Sequence, residues 1–160
     1  MTRIFSGLFL AEGSSDHPLA EIVELLFLDR GVRVRLSTPD FSALKVAKDV
    51  RTRISAGLRL TGGDVDVIVV HRDADSAGAE GRLCEIRDAI QDASAGSRFV
   101  PVIPVRMTEA WLLLDERAIR HVAGNPSGRT PLDLPNRREV ERVADPKQLL
   151  AELIMCAADV

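Results

Sequence analysis

Two patterns of hydrophobic residues alternate along the chain, one typical of strands and the other typical of helices. Short apolar runs at 4–11 and 65–70 predict buried strands. The alternating segment VRVRL at 32–36 predicts a half-exposed or edge strand. The segment RFVPVIPV at 98–105 predicts a fourth strand, and its prolines favour the edge or the end of a sheet.

The second period, with apolar residues three and four positions apart, predicts helices between and after these strands. We expect them at residues 16–31, 43–58, 83–93, 108–123 and 145–154. Asp16, Thr108 and Asp145 begin three of these segments and are suited to cap them. Pro18 and Pro146 suit a first helical turn.

The alternation of strands and helices predicts an α/β fold. Its central sheet would be mostly parallel, with about four strands and with helices on both faces. Residues 1–123 would form this core, and residues 124–160 would add a Pro-rich segment and a C-terminal helix packed on the same domain. A chain of 160 residues is typical of one domain.

Composition narrows the classes of protein. The two cysteines are far apart and form no CxxC, which argues against a zinc site or a disulfide framework and favours the cytoplasm. No apolar stretch is long enough to cross a membrane. The net charge of −3 and the 4% aromatic content predict that a nucleic acid would be held by a local patch, a metal ion or a partner protein.

Acidic residues follow the predicted strands. The 65–70 strand runs into HRDADS, where Asp73 and Asp75 would point the same way in an extended chain. Two carboxylates held together favour a shared cation, and oxygen ligands favour Mg²⁺ or Mn²⁺. An isolated Asp-x-Asp is equally a turn that caps the next helix. Glu12 and Glu109 follow the first and fourth strands, and in parallel sheets binding sites lie at the carboxyl ends. The metal interpretation is therefore favoured.

These residues resemble the Toprim domain shared by topoisomerases, primases and a class of nucleases. AEGSSD at 11–16 followed by DAD at 73–75 is similar to the family's Glu-Gly and Asp-x-Asp pair, with matches at Glu12, Gly13, Asp73 and Asp75. An acid four residues after the glutamate, here Asp16, resembles the overcoming-lysogenization-defect (OLD) nucleases. MTEAWLLLD, with Glu109, resembles a helix start in small bacterial relatives of that group. The resemblance covers about residues 3 to 115.

The resemblance implies a Toprim-like, Rossmann-like fold and a two-metal phosphodiester hydrolase. Two Mg²⁺ or Mn²⁺ ions would be held by Glu12, Asp16, Asp73, Asp75 and Glu109. Glu12, Asp73 and Asp75 would be the catalytic residues, with Glu12 either a general base or a metal ligand. Asp16 is equally a helix cap, and Glu109 equally an acid that the helix dipole favours.

Four further residues are candidate phosphate contacts. Gly13 allows the backbone to approach a phosphate, and Arg72 and Arg106 flank the acidic strand ends. Lys147 is a candidate cation for the transition state. Exposure to solvent is the alternative for each of these basic side chains.

The residues that the chain lacks narrow the activity. The chain contains no tyrosine, so it cannot by itself form the covalent DNA link of a topoisomerase. It has no GxxxxGK[ST] motif, so an ATPase would be a separate partner. Nuclease-type hydrolysis of nucleic acid, DNA rather than RNA, is the leading interpretation.

Two alternatives belong to other classes of protein. One is a non-catalytic Toprim-like binding subunit of a larger nucleic-acid or defence complex. The other is a doubly wound phosphatase or phospho-acceptor, in which an aspartate ends the first strand. The chain has Glu12 there, which disfavours the second alternative.

Overall fold

The computed structural model describes residues 3–93 and 98–158, which fall into two compact units. The first unit comprises residues 3–72 and 77–103, and the second comprises residues 73–76 and 104–158. No helix in these described residues is long and apolar enough to cross a lipid bilayer.

Strands and helices alternate through the first unit. Its elements are β1 (Ile4–Leu10), α1 (Leu19–Leu28), β2 (Arg33–Ser37), α2 (Val50–Leu60), β3 (Val67–His71), α3 (Gly78–Ala93) and β4 (Arg98–Val102). Short 3₁₀ turns lie at Ser14–Asp16 and Asp75–Ala77. All four strands are parallel, in the order β2-β1-β3-β4. The prediction of a mostly parallel sheet of about four strands is confirmed, as are the edge positions predicted for β2 and β4.

Successive side chains of β1 and β3 enter two different cores, because side chains alternate across a strand. One core joins alternate strand residues to α2 and α3; its members include Leu8, Leu10, Ile54, Leu58, Ile68, Val70, Ile86 and Ile90. The other joins the intervening residues to α1; its members include Phe9, Ala20, Val23, Val67 and Val69. Helices therefore cover both faces of the sheet, as predicted, and the fold is Rossmann-like.

Two helix starts in this unit differ from the prediction. Helix α2 begins at Val50 rather than near residue 43, because Asp49 is extended and its carboxylate accepts the Thr52 N–H at 2.8 Å. Helix α1 begins at Leu19 after Pro18, so Asp16 is not its cap and lies in the preceding 3₁₀ turn. The apolar period runs through both boundaries, and the local capping geometry decides where each helix begins.

The second unit is built from helices α4 (Glu109–Leu112), α5 (Glu116–Val122) and α6 (Pro146–Ala157), with a 3₁₀ turn at Val140–Arg142. Its core consists of Ala110, Leu113, Ile119, Val140, Leu153 and Ala157. The prediction of a single helix over 108–123 is wrong. The backbone at Asp115 is extended, and its side chain caps α5 by accepting the Ala118 N–H at 3.0 Å. Asp145 caps α6 as predicted, accepting the Gln148 N–H at 2.9 Å.

Candidate functional site

The predicted site residues are divided between the two units. The first unit contains Glu12, Gly13, Asp16 and Arg72, and the second contains Asp73, Asp75, Arg106, Glu109 and Lys147.

In the first unit, Glu12 and Arg72 lie together at the carboxyl edge of the sheet. They come two residues after β1 and one residue after β3, which are neighbouring parallel strands in register from Gly7↔Val67 to Leu10↔Val70. The Arg72 guanidinium pairs with Glu12 Oε1 through Nη1. Its Nη2 lies 3.3 Å from Glu85 Oε1, at the second turn of α3. The acid that the sequence marked as a metal ligand is thus neutralised by an arginine.

The ion pairs continue away from the sheet. Glu85 also accepts a hydrogen bond at 2.9 Å from Arg82, one turn earlier on α3. Positive and negative groups therefore alternate from Glu12 through Arg72 and Glu85 to Arg82. Such a row balances its own charges, so the negative charge of Glu12 is compensated by basic side chains of its own unit.

A buried arginine on α2 fixes the chain just before Glu12. Arg53 is only 5% exposed, and its Nη1 donates to the carbonyl oxygen of Ala11. The guanidinium carbon also lies 5.4 Å from the ring centre of Phe41. Burial lowers the pKa of Arg53, while the negative charge of Glu12 acts to raise it. Sequence reasoning missed this residue, although its place on the apolar face of α2, three residues after Val50, was a visible signal.

His71 closes β3 as a buried imidazole. It is 2% exposed, and its Nδ1 lies 3.7 Å from Asp16 Oδ2. Burial lowers the pKa of His71, and the carboxylates of Asp16 and Glu12 oppose that shift. The side chain is therefore neutral at neutral pH, and it provides Asp16 with a polar neighbour.

A small cavity lies beside these groups. It has a volume of about 10 Å³ and is lined by Ala11, Glu12, Lys48, Arg53, His71 and Arg72 together with neighbouring apolar residues. That volume suits a single water molecule. A group as large as a phosphate does not fit inside this cavity.

In the second unit, the Asp-x-Asp segment departs from the predicted conformation. The Ala74 N–H donates to the Pro104 carbonyl at 3.0 Å, which ties residue 74 to the segment after β4. Asp75 has a φ of 45° and begins a 3₁₀ turn, so the expectation of an extended chain from Asp73 to Asp75 is wrong. A positive φ outside glycine is uncommon, although aspartate adopts it more readily than most residues, and such strain is often found at functional sites.

The remaining candidates of the second unit lie on its helices. Glu109 is the first residue of α4 and is partly buried. Thr108, which precedes it, has helical dihedral angles rather than the extended ones of a capping residue. Arg106 and Lys147 are exposed, which is the state expected of either a solvated side chain or a contact for an incoming phosphate.

The predicted ligand residues carry donor atoms of the kind that a divalent cation binds. Carboxylate oxygens are the ligands that Mg²⁺ and Mn²⁺ prefer, so the chemistry of the predicted residues fits. Within residues 3–93 and 98–158, however, no three His, Cys, Asp or Glu side chains are placed to hold a metal ion. A cation at Glu12 would have to share this carboxylate with Arg72 or displace the guanidinium.

No protein-family model matches the chain, and a search of curated proteins found no match. The resemblance to Toprim domains therefore rests on the matching residues alone.

Proposed function

We propose that the chain is a divalent-cation-dependent phosphodiester hydrolase of the Toprim type, similar to the OLD nucleases and acting on nucleic acid in the cytoplasm. DNA is the proposed substrate, and a separate ATPase is the proposed partner. One observation supports the proposal. The strand that leads to Glu12 and the strand that leads to the Asp-x-Asp segment are adjacent and parallel, and binding sites of such sheets lie outside the carboxyl ends of the strands.

The residues proposed to hold the cation are Glu12, Asp16, Asp73, Asp75 and Glu109. When bound, Mg²⁺ or Mn²⁺ would supply an activated water and neutralise the charge on the leaving oxygen. Glu12 is the proposed acceptor of a proton from a water, or else a ligand of the cation. Arg72, with its guanidinium at the same sheet edge, and the backbone of Gly13 are proposed to orient the phosphate.

A second candidate is a non-catalytic binding subunit. The pairing of Glu12 with Arg72 favours it, because a chain that never binds a cation would still satisfy this carboxylate. The same arginine and the exposed Arg106 and Lys147 would then contact phosphates of a nucleic acid without cutting it.

Asp73→Asn tests the hydrolase. Asparagine keeps the shape of the side chain and removes the charge, so Mn²⁺-dependent cleavage of single-stranded DNA, duplex DNA and RNA oligonucleotides should be lost while the circular dichroism spectrum is unchanged. Asp133→Asn, in the exposed irregular segment, is the matched control and should retain activity. Full activity in Asp73→Asn would rule out the proposal.

Asp16→Asn separates a ligand from a structural residue. Because Asp16 is not the cap of α1, the substitution leaves that helix start unchanged. Loss of cleavage with an unchanged unfolding curve would assign Asp16 to the reacting site. Retained cleavage would remove it from the proposed ligand set and leave the other residues in place.

Thermal melts separate the two candidate functions. A cation that binds only the folded protein, at 100 times its dissociation constant, adds about 2.7 kcal/mol of stability. Melting temperatures should therefore rise from EDTA to Mg²⁺ or Mn²⁺. Identical temperatures in all three, together with DNA binding in EDTA, would favour the binding subunit.

A further inference from the structure

Helix α1 is apolar around its whole circumference, with Glu21 and Glu24 as its only charged residues. Its inner side packs on the sheet through Ala20, Val23 and Phe27. Four of its five exposed residues are large and apolar, each 49–60% exposed, and they form the α1 face: Ile22, Leu25, Leu26 and Leu28. A helix that is hydrophobic on all sides is normally buried, so this face is expected to pack against another surface.

The other helices of the first unit do not share this feature. Helix α2 exposes Arg51, Thr52 and Arg59, and its last residue, Leu60, is its one exposed large apolar residue. Helix α3 exposes charged, polar and small residues and no large apolar one. The apolar outer face is therefore specific to α1 and is not a general property of the surface of this unit.

The α1 face offers both halves of a helix–helix contact. Ile22 and Leu26 are four residues apart, so they form a ridge along the helix. Leu25 and Leu28 line a groove of about 480 Å³ between α1 and the edge strand β2. Helices pack when the ridge of one enters the groove of the other, so a second copy of the chain supplies the shape that this surface needs.

The charges at the two ends of α1 are opposite. Glu21 lies in the first turn, whereas Arg30 and Arg33 follow the last turn and outnumber Asp29. The Arg30 guanidinium donates to the Leu26 carbonyl at 3.0 Å, which places this positive charge at the end of the α1 face. When two copies of α1 pack antiparallel about a twofold axis, Glu21 of each copy lies beside Arg30 of the other.

Two other modes of association fit this surface less well. Strand addition at the edge of β2 is obstructed at Leu36, whose N–H donates to the Glu24 carboxylate at 2.7 Å. Helices that lie in a membrane interface are rich in lysine and arginine on their polar side, whereas both charged residues of α1 are acidic. The observations therefore favour a second copy of the chain over an added strand or a lipid surface.

We propose that the chain forms a twofold-symmetric dimer through the α1 face. The two α1 helices are antiparallel, Leu25 lies near the axis, and pairs of Glu21 with Arg30 close both ends of the contact. The inference goes beyond the proposed function and does not depend on it, because no residue of the proposed cation site takes part.

Sedimentation velocity of the full chain, over about a hundredfold range of concentration, measures the dimer. The unchanged chain should pass from monomer to dimer as the concentration rises. Leu25→Glu places a negative charge from each copy in the apolar contact and should weaken dimerisation about a hundredfold. Leu60→Glu is the matched control, because Leu60 is 57% and Leu25 is 60% exposed and α2 packs on the opposite face of the sheet. The control should dimerise like the unchanged chain.

Charge exchange tests the antiparallel arrangement. Glu21→Arg places like charges at both ends of the contact, as does Arg30→Glu, and each variant alone should dimerise about tenfold more weakly. An equimolar mixture of the two variants should recover the lost affinity, because each end pair of a mixed dimer joins an arginine to a glutamate. Glu21 and Arg30 are nine residues apart, about 13 Å along a helix, so pairing within one copy does not produce this recovery.

Three results would overturn the inference. A monomer at every concentration would leave the α1 face to a different protein. Equal dimerisation of Leu25→Glu and Leu60→Glu would place the contact elsewhere, and a mixture no tighter than its separate components would exclude the antiparallel pairing. Should circular dichroism show that Leu25→Glu does not fold, the mixture of charge variants decides the question. Cleavage by the Asp73→Asn variant tests the proposed function separately.

Discussion

Replacing Arg53 by methionine tests whether a buried guanidinium fixes the chain in front of Glu12. Methionine preserves most of the length and apolar surface of the side chain but donates no hydrogen bond. The Ala11 carbonyl, in a residue that is itself buried, would lose its donor from Arg53. The contact with the Phe41 ring would become an ordinary apolar one.

The expected change in the free energy of unfolding is the net result of two opposing effects. A buried acceptor left without its donor costs about 1–3 kcal/mol. Removing a charge whose pKa is lowered by burial returns part of that cost, since the guanidinium no longer has to be desolvated. We expect a net loss of about 2 kcal/mol in the free energy of unfolding, which corresponds to a fall of about 1 M in the urea midpoint.

Urea titration followed by circular dichroism at 222 nm measures this loss. The chain has one tryptophan, Trp111, and it lies in the second unit, so its fluorescence reports that unit separately. Arg59→Met is the matched control, because Arg59 is exposed on the same helix and its loss should change stability by less than about 0.5 kcal/mol. Equal urea midpoints for the Arg53 and Arg59 variants would refute the reasoning.

Three further predictions concern local features. Accepting the Ser6 backbone N–H lowers the pKa of Asp66 below its ordinary value of 3.8. The ionised carboxylate therefore contributes its full stabilisation above pH 3.8, and this contribution is lost as the pH falls through the folded-state pKa. When urea midpoints are measured from pH 7 to 3, the fall of the midpoint at acidic pH should be smaller for Asp66→Asn than for the unchanged chain. Asp145→Ala removes the cap of α6 and should cost about 1 kcal/mol in the same assay. Gly7→Ala places a Cβ 2.5 and 2.9 Å from side chains of both neighbouring strands and should cost about 1–3 kcal/mol, whereas Gly81→Ala, with 3.5 Å of space, should not destabilise.

The fold was predictable because the sheet imposes its period on the sequence. A strand buried on both faces needs an unbroken apolar run, and β3 (Val67–His71) is buried at every position. An edge strand needs only alternation, and β2 (Arg33–Ser37) alternates exposed and buried residues throughout. These constraints act on neighbouring residues, so they can be read without knowing the tertiary structure.

Helix boundaries were less predictable, because they depend on single hydrogen bonds. The apolar period at 43–58 continues across Asp49, yet the aspartate carboxylate captures a backbone N–H and begins the helix there. Asp115 interrupts a second apolar stretch in the same way. An aspartate inside a periodic segment is thus an ambiguous signal, since only the surrounding backbone decides whether it caps a helix or lies on its exposed face.

The partners of the candidate site could not be predicted for a different reason. The pairing of Glu12 with Arg72 joins residues sixty positions apart, and that of Arg72 with Glu85 joins a strand end to a helix. Residue types at strand ends predict that charges collect at an edge, but they do not say which charges neutralise one another. Arg53 was detectable only as a basic residue on an apolar helix face.

These ion pairs would also limit how strongly the proposed cation binds and stabilises the protein. When only a fraction of the molecules has Glu12 free of Arg72, the apparent dissociation constant for the cation is the intrinsic constant divided by that fraction. A free fraction of about one tenth therefore weakens apparent binding about tenfold. Because Arg72 already neutralises Glu12, the proposed cation would stabilise the fold only at concentrations above this raised apparent dissociation constant. The same balance predicts that a nucleic acid strengthens cation binding, because phosphates that draw Arg72 away from Glu12 raise the free fraction. Calorimetric titration of Mn²⁺ into the unchanged chain, with and without a short cleavage-resistant DNA strand, would measure this coupling, and equal affinities in the two titrations would contradict it.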